Sequence, residues 1–201
     1  MSPANDGPEF PLIDSDERER SVEYLKEAID VAAEAGSSFL NVIPGRRDDT
    51  LDPAQHHLLI VAALREVAPR AERAGVIVLV EPINIAVDYP GIYLSTSYEE
   101  HKIVDAVDSE HVELLFDVYH EQIGFSNVIE NIHDHVDLIS YVHVADVPGR
   151  REPSTGEINY PNVLQALADA GYDEYVGAEF VPMGEPETAI RTVRAMLEEI
   201  Q

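Results

Sequence analysis

The chain has 201 residues, with 13 Lys plus Arg against 39 Asp plus Glu, a formal charge of −26, and no cysteine. Without cysteine there are no disulfides, zinc–thiolate or iron–sulfur sites and no thiol nucleophile; the charge opposes attraction to phosphate backbones and anionic lipid, which excludes nucleic acid and membrane as general partners. The acids are spread along the chain, as on the solvated surface of a halophilic protein, and the length suits one domain over residues 1–201.

The N-terminal MSPANDGPEF has neither a basic nor an apolar signal region, and no apolar run approaches the roughly 18 residues of a membrane span, so a cytoplasmic protein is expected. Asp14 or Ser15 is the expected cap of a first helix that carries Val22, Leu25, Ile29 and Ala33 on one face and ends before Gly36. Residues 37–42 (SSFLNV) read as a strand. Asp52-Pro53 is an N-cap followed by a first-turn proline, opening a helix through Leu59 and Leu64 to Gly75, with Pro69 expected to bend it. The run VIVLV at 76–80 has the continuous β-branched character of a strand buried on both faces. Ser97 opens a helix with His101, Val104 and Val107, and VELLF at 112–116 is a third strand. Asn127 opens a helix with Ile129, Ile132 and Val136, followed by the strand LISYVHV at 138–144. Residues 148–161 form a long irregular connection, of the kind that is usually functional or disordered. Pro161 starts a helix with Leu164 and Leu167 that closes at Gly171. YVGAEF at 175–180 is the fifth strand, and a last helix near Pro186 carries Ile190, Val193 and Leu197. Strand and helix alternate without a hairpin signal, the mark of parallel α/β architecture.

The chemistry-bearing residues fall at strand C-termini. Glu81 follows VIVLV, Asp117 follows VELLF, and His143 and Glu179 lie near the ends of the next two strands; the separations of 36, 26 and 36 residues are each about one βα unit. In a parallel barrel these ends open on one face, where active sites sit. A polar residue ending one strand is ordinarily a loop-facing group; four in successive units point to a shared site. Three carboxylates and an imidazole without sulfur suit a divalent cation such as Mn²⁺ or Mg²⁺. Asn84 and His120, each three residues beyond a candidate ligand, are placed to meet substrate oxygens. Arg150 suits a carboxylate or phosphate, or else a surface ion pair. Tyr89, Tyr93, Tyr119 and Tyr160 suit a pocket wall or packing, and His56, His57, His133 and His135 suit surface or packing roles. There is no Walker, dinucleotide or GxSxG pattern, against kinase, dehydrogenase and serine-hydrolase chemistry.

The segments VEPIN (80–84), FDVYHEQ (116–122), VPGRREPSTGEINYP (147–161) and GAEFVP (177–182) resemble hydroxypyruvate isomerases, within the xylose-isomerase-like TIM-barrel superfamily of sugar isomerases and epimerases. The resemblance runs from about Ser15 to Gln201, and the VPGR–EP–TGEINYP stretch is its most specific part. It implies that Glu81 and Glu179 are metal ligands and the two acid/base groups, that Asp117 and His143 are ligands, and that His120 and Arg150 contact substrate. Histidine at position 143 is the ketose 3-epimerase form; some hydroxypyruvate-isomerase relatives have glutamine. A complete barrel has eight strands and about 250 residues. The five units found here therefore imply a partial barrel starting about three units late, either shortened or completed by another chain, with a homo-oligomer compatible.

The resulting expectation is metal-dependent isomerisation of a small hydroxy-carbonyl acid, hydroxypyruvate to tartronate semialdehyde being the family case, by proton transfer between two glutamates. The alternatives are a ketose 3-epimerase or related sugar or inositol enzyme, an endonuclease relative, and an inactive truncated remnant or interaction module. The endonuclease reading needs more histidines and a basic surface.

Overall fold

The computed structural model describes residues 10–14 and 17–200. Helix α1 spans Arg18–Glu34 and buries Val22, Leu25 and Ile29. Asp14 is not its cap. Glu17 holds that position without a side-chain bond, while the Asp14 carboxylate accepts the Glu17 N–H at 3.3 Å and its carbonyl accepts the Arg18 N–H at 2.8 Å. Ser15, the other expected cap, lies outside the described residues. Strand β1 (Phe39–Val42) leads to α2 (Pro53–Ala74), where Asp52 and Gln55 form a reciprocal capping box and Gly75, at φ 67°, supplies the left-handed C-cap. The helix continues through Pro69.

The remaining elements are β2 (Ile77–Val80), α3 (Ser97–Val107, capped by Thr96), β3 (Val112–Asp117), α4 (Val118–Gly124), α5 (Val128–His135), β4 (Ile139–Val144), α6 (Tyr160–Asp169), β5 (Tyr175–Ala178) and α7 (Pro186–Glu198). Among the described residues the five strands make one all-parallel sheet in the order β1-β2-β3-β4-β5. None of the described helices is long and apolar enough to cross a membrane.

Period-two alternation gives the sheet two faces. The outward residues Val42, Val78, Val80, Val112, Leu114, Phe116, Val142 and Val144 are buried against the helices in one continuous core with Leu25, Ile29, Ile60, Leu64, Ile103, Ile132 and Leu164. Each large aliphatic side chain so buried contributes about 1.5–3 kcal/mol. Two helical faces differ from expectation. Ile129 is 38% exposed, and α5 instead buries Val128, Asn131 and Ile132; Ile190 and Leu197 are 56% and 36% exposed, and α7 packs through Ala189 and Val193. On these helices the apolar spacing admits two faces, and the packing partner selects between them.

The inward face is concave. Phe39 on β1 and Tyr175 on β5 belong to opposite edges of the sheet, yet their rings meet edge-to-face at 5.4 Å, and both meet Tyr141 from β4. Four strand-to-strand steps are half the circumference of an eight-stranded barrel. The sheet is thus a half-barrel whose edge strands face each other, with an aromatic floor between them.

Candidate active site

The four strand-end residues share the inward parity. Asp117 closes β3 opposite His143 on β4, and His143 lies opposite Gly177, two residues before Glu179 on the same face. Glu81 directly follows β2. One ligand atom from each of Glu81, Asp117, His143 and Glu179 lies within 4.8 Å of the other three, above the aromatic floor. Among the described residues no other such group of three or more occurs.

Glu81 is fully buried; its Oε2 accepts from Asn41 Nδ2 at 2.5 Å, and its Oε1 has no hydrogen-bond partner. His143 Nδ1 lies 3.5 Å from Glu81 Oε1 and 2.9 Å from Glu179 Oε2. Asp117 Oδ1 accepts the N–H groups of Tyr119 and His120, capping α4, while its Oδ2 faces inward. Arg150 Nη2 reaches Glu179 Oε2 at 2.6 Å and Asp117 Oδ2 at 3.3 Å, with its guanidinium 5.2 Å from the centre of the Tyr119 ring. The cluster opens to solvent on the β5 side, where the Glu179 side chain is 34% exposed.

The electrostatics follow from burial and crowding. Burial raises the Glu81 carboxyl, with His143 opposing. Asp117 is pushed up to about 8 by burial and then by the charge of Glu81. Burial opposes charge on His143, but the neighbouring Glu179 and Glu81 carboxylates outweigh it and raise the imidazole to about 10. Burial would also raise Glu179, yet His143 and Arg150 together hold it below the usual carboxylate range. Desolvating a charged group costs several kcal/mol, so three carboxylates at one mouth do not serve packing. Their hard oxygen donors, the single imidazole and the unsatisfied Glu81 Oε1 fit a divalent cation held by Glu81, Asp117, His143 and Glu179.

The neighbouring candidates separate. His120 is buried beside Asp117, its Nε2 at 3.6 Å from Asp117 Oδ2, and burial and Arg150 hold its pKa well below the usual imidazole value. Asn84 does not face outward as a substrate contact. Its Nδ2 donates to Asp88 Oδ2 at 2.6 Å and to His120 Nδ1 at 2.7 Å, while its Oδ1 accepts from the N–H groups of Val87 and Asp88. All four of its amide valences are taken within the protein, and an acceptor at His120 Nδ1 puts the ring proton on Nε2, toward Asp117. Of the tyrosines, Tyr119 adjoins the site. Tyr160 is buried and donates to the Ala145 carbonyl, Tyr93 stacks on His56, and Tyr89 packs with Ile43, Ile83 and Ile92. His135 stacks on His101 at 4.1 Å, a packing role. Asn41, Asp88 and Asp146 are neighbours of the cluster and its loops without a motif. The one signal for Asn41 was a polar residue at an inward position in an otherwise apolar strand.

The Xylose isomerase-like TIM barrel family model matches residues 1–200. The chain is 31% identical over 178 residues to a putative hydroxypyruvate isomerase of Homo sapiens, covering 86% of this chain and 64% of that protein. It is 30% identical over 164 residues to the hydroxypyruvate isomerase of Escherichia coli, covering 82% and 63%. It therefore spans somewhat less than two thirds of the length of these relatives. Among solved structures, an AP endonuclease, family 2, from Brucella melitensis superimposes with a TM-score of 0.82 at 28% identity, over 94% of this chain and 71% of that one. Fold, profile and relatives agree, and the chain belongs to the xylose isomerase-like TIM-barrel family.

Proposed function

We propose that the site isomerises a small hydroxy-carbonyl acid of the hydroxypyruvate type by moving a proton between adjacent carbons. The observation that carries this reading is the convergence of Glu81, Asp117, His143 and Glu179 from four successive strand ends to within 4.8 Å of one another. Mn²⁺ or Mg²⁺ held by these four residues would supply Lewis acidity for the substrate carbonyl and its neighbouring hydroxyl. One of Glu81 and Glu179 removes the proton from the hydroxyl-bearing carbon. The electron pair becomes the enediolate, the hydroxyl proton passes to the former carbonyl oxygen, and the other glutamate returns a proton to the former carbonyl carbon, with no net change in atoms or electrons. Arg150 holds the substrate carboxylate, and its place over the Tyr119 ring limits its swing. His120 offers its Nε2 proton to a substrate oxygen, and Asn84 fixes the tautomer that makes this so.

His143 supports a second reading, a ketose 3-epimerase, in which one glutamate takes the proton from a carbon of a free sugar and the other returns a proton to that same carbon from the opposite face. Fold does not choose the substrate. An endonuclease is disfavoured by the single histidine of the cluster and by the charge of −26. The test is turnover of this chain with Mn²⁺ on hydroxypyruvate and on free ketoses, with Glu179→Gln in parallel. Removal of one acid/base group lowers turnover about 10²–10⁴-fold, with unchanged circular dichroism. Wild-type turnover by Glu179→Gln overturns the assignment. A wild-type chain that folds and converts neither class is the inactive remnant.

A further inference from the structure

We propose that Asp146 is a positioning residue: its carboxylate is the internal anion around which the loop after β4 folds, and that fold sets Arg150 over the carboxylate cluster. For the role of Arg150 in catalysis the inference rests on the function proposed above; the geometry stands without it.

Asp146 lies two residues beyond β4 and is fully buried. A buried carboxylate is tolerated only when its oxygens are satisfied. Here the donors are backbone. Oδ1 accepts from Val147 N at 2.9 Å and Ile158 N at 3.1 Å; Oδ2 accepts from Thr155 N at 3.2 Å and Gly156 N at 2.9 Å. These amides come from both ends of one loop. The same residue closes the stem, its N–H donating to the Arg151 carbonyl at 2.7 Å and its carbonyl accepting from Arg151 N at 3.3 Å. Gly156 is required by the close approach, since a Cβ there would overlap the Val147 carbonyl and Asp146 Oδ1.

Closing the stem between 146 and 151 forces a tight turn, in which Gly149 and Arg150 take φ of 92° and 54°. The left-handed region crowds Cβ against the backbone of a non-glycine residue, so arginine adopts it only under constraint. In that conformation the Arg150 side chain enters the cluster, and its carbonyl turns away to accept the Val181 N–H at 2.8 Å. Arg151 Nη1 donates to the Val181 carbonyl and Glu152 accepts from Met183 N, so the loop also braces the segment that follows Glu179. Asparagine at 146 would replace one acceptor with a donor, facing two N–H groups.

Hydrogen exchange read by mass spectrometry on the full chain tests this. In Asp146→Asn, peptides over 147–158 and 179–183 lose protection about tenfold or more, as expected when backbone hydrogen bonds open locally, while those over β2 and β3 keep theirs. Gly156→Ala, which crowds the loop without altering the acid, gives the same pattern should Asp146→Asn fold poorly. Retained protection at 147–158 or 179–183 overturns the proposal, whether or not the wild type turns over any substrate. Mn²⁺ affinity provides the link to Arg150. Removing its charge in Arg150→Ala tightens Mn²⁺ binding about tenfold or more. Asp146→Asn shifts affinity the same way, and the double variant matches Arg150→Ala alone. Independent, multiplying effects would show that Asp146 does not act through Arg150.

Discussion

Glu100 shows how single buried acids set the behaviour of this protein away from the cluster. It lies on α3, fully buried, with no well-formed hydrogen bond to either carboxylate oxygen. Burial, then the charges of Glu121 and Glu81, raise it well above its usual 4.5. Glu121 is itself raised by burial but is held by Ser97 and Asn131, whose donors lie at 2.9 and 2.6 Å. A folded value above the unfolded one means that the contribution of Glu100 to stability is complete below about pH 4.5 and is lost as pH rises through the raised value. Glu100→Gln keeps the shape and removes the titration. Thermal melts from pH 5 to 8 should show a flatter dependence in the variant. At pH 8 its midpoint should be higher, by about 2–4 °C for each kcal/mol regained. Parallel wild-type and variant curves would contradict this.

At the scale of elements, the strand ends determine the site and the strand interiors position it. Gly177 on β5 is the clearest case. A Cβ there would lie 2.6 Å from a Tyr141 ring carbon and 3.1 Å from His143 Cδ2. Gly177→Ala should therefore displace His143 at an overpacking cost of about 1–3 kcal/mol, read as Mn²⁺ binding weakened about tenfold or more with retained secondary structure. Unchanged affinity would show that Tyr141 and His143 yield freely. This dependence was not legible in the sequence, because it joins two strands through space. The strands themselves were: each begins and ends within two residues of the expected bounds, since β-branched runs between Gly and Asp punctuation leave little choice. Helix α4 was missed, because its seven residues hold too few turns for a period and its cap, Asp117, already had a role at the strand end. Glu81, Asp117, His143 and Glu179 could be picked out because each ends a strand in a successive unit. Asp146 could not, since its partners are backbone amides, which no side-chain pattern records. Asn84 stood out for the right neighbourhood and the wrong contact.

The described residues form half of a barrel that holds the four candidate ligands. The four candidate ligands come from β2 through β5, and their floor spans β1 to β5, so the cluster forms within the five strands described. The acidic surface would attract cations weakly everywhere, and only a saturable, stoichiometric site separates the cluster from that background. The most direct measurement is an Mn²⁺ titration followed by calorimetry, with thermal melts alongside and Asp117→Ala as control. One Mn²⁺ per chain is predicted, with stabilisation of about 2.7 kcal/mol at a hundredfold excess over Kd, lost in Asp117→Ala. Unsaturable binding, or the same single site in Asp117→Ala, would contradict the convergence of these four side chains on one cation.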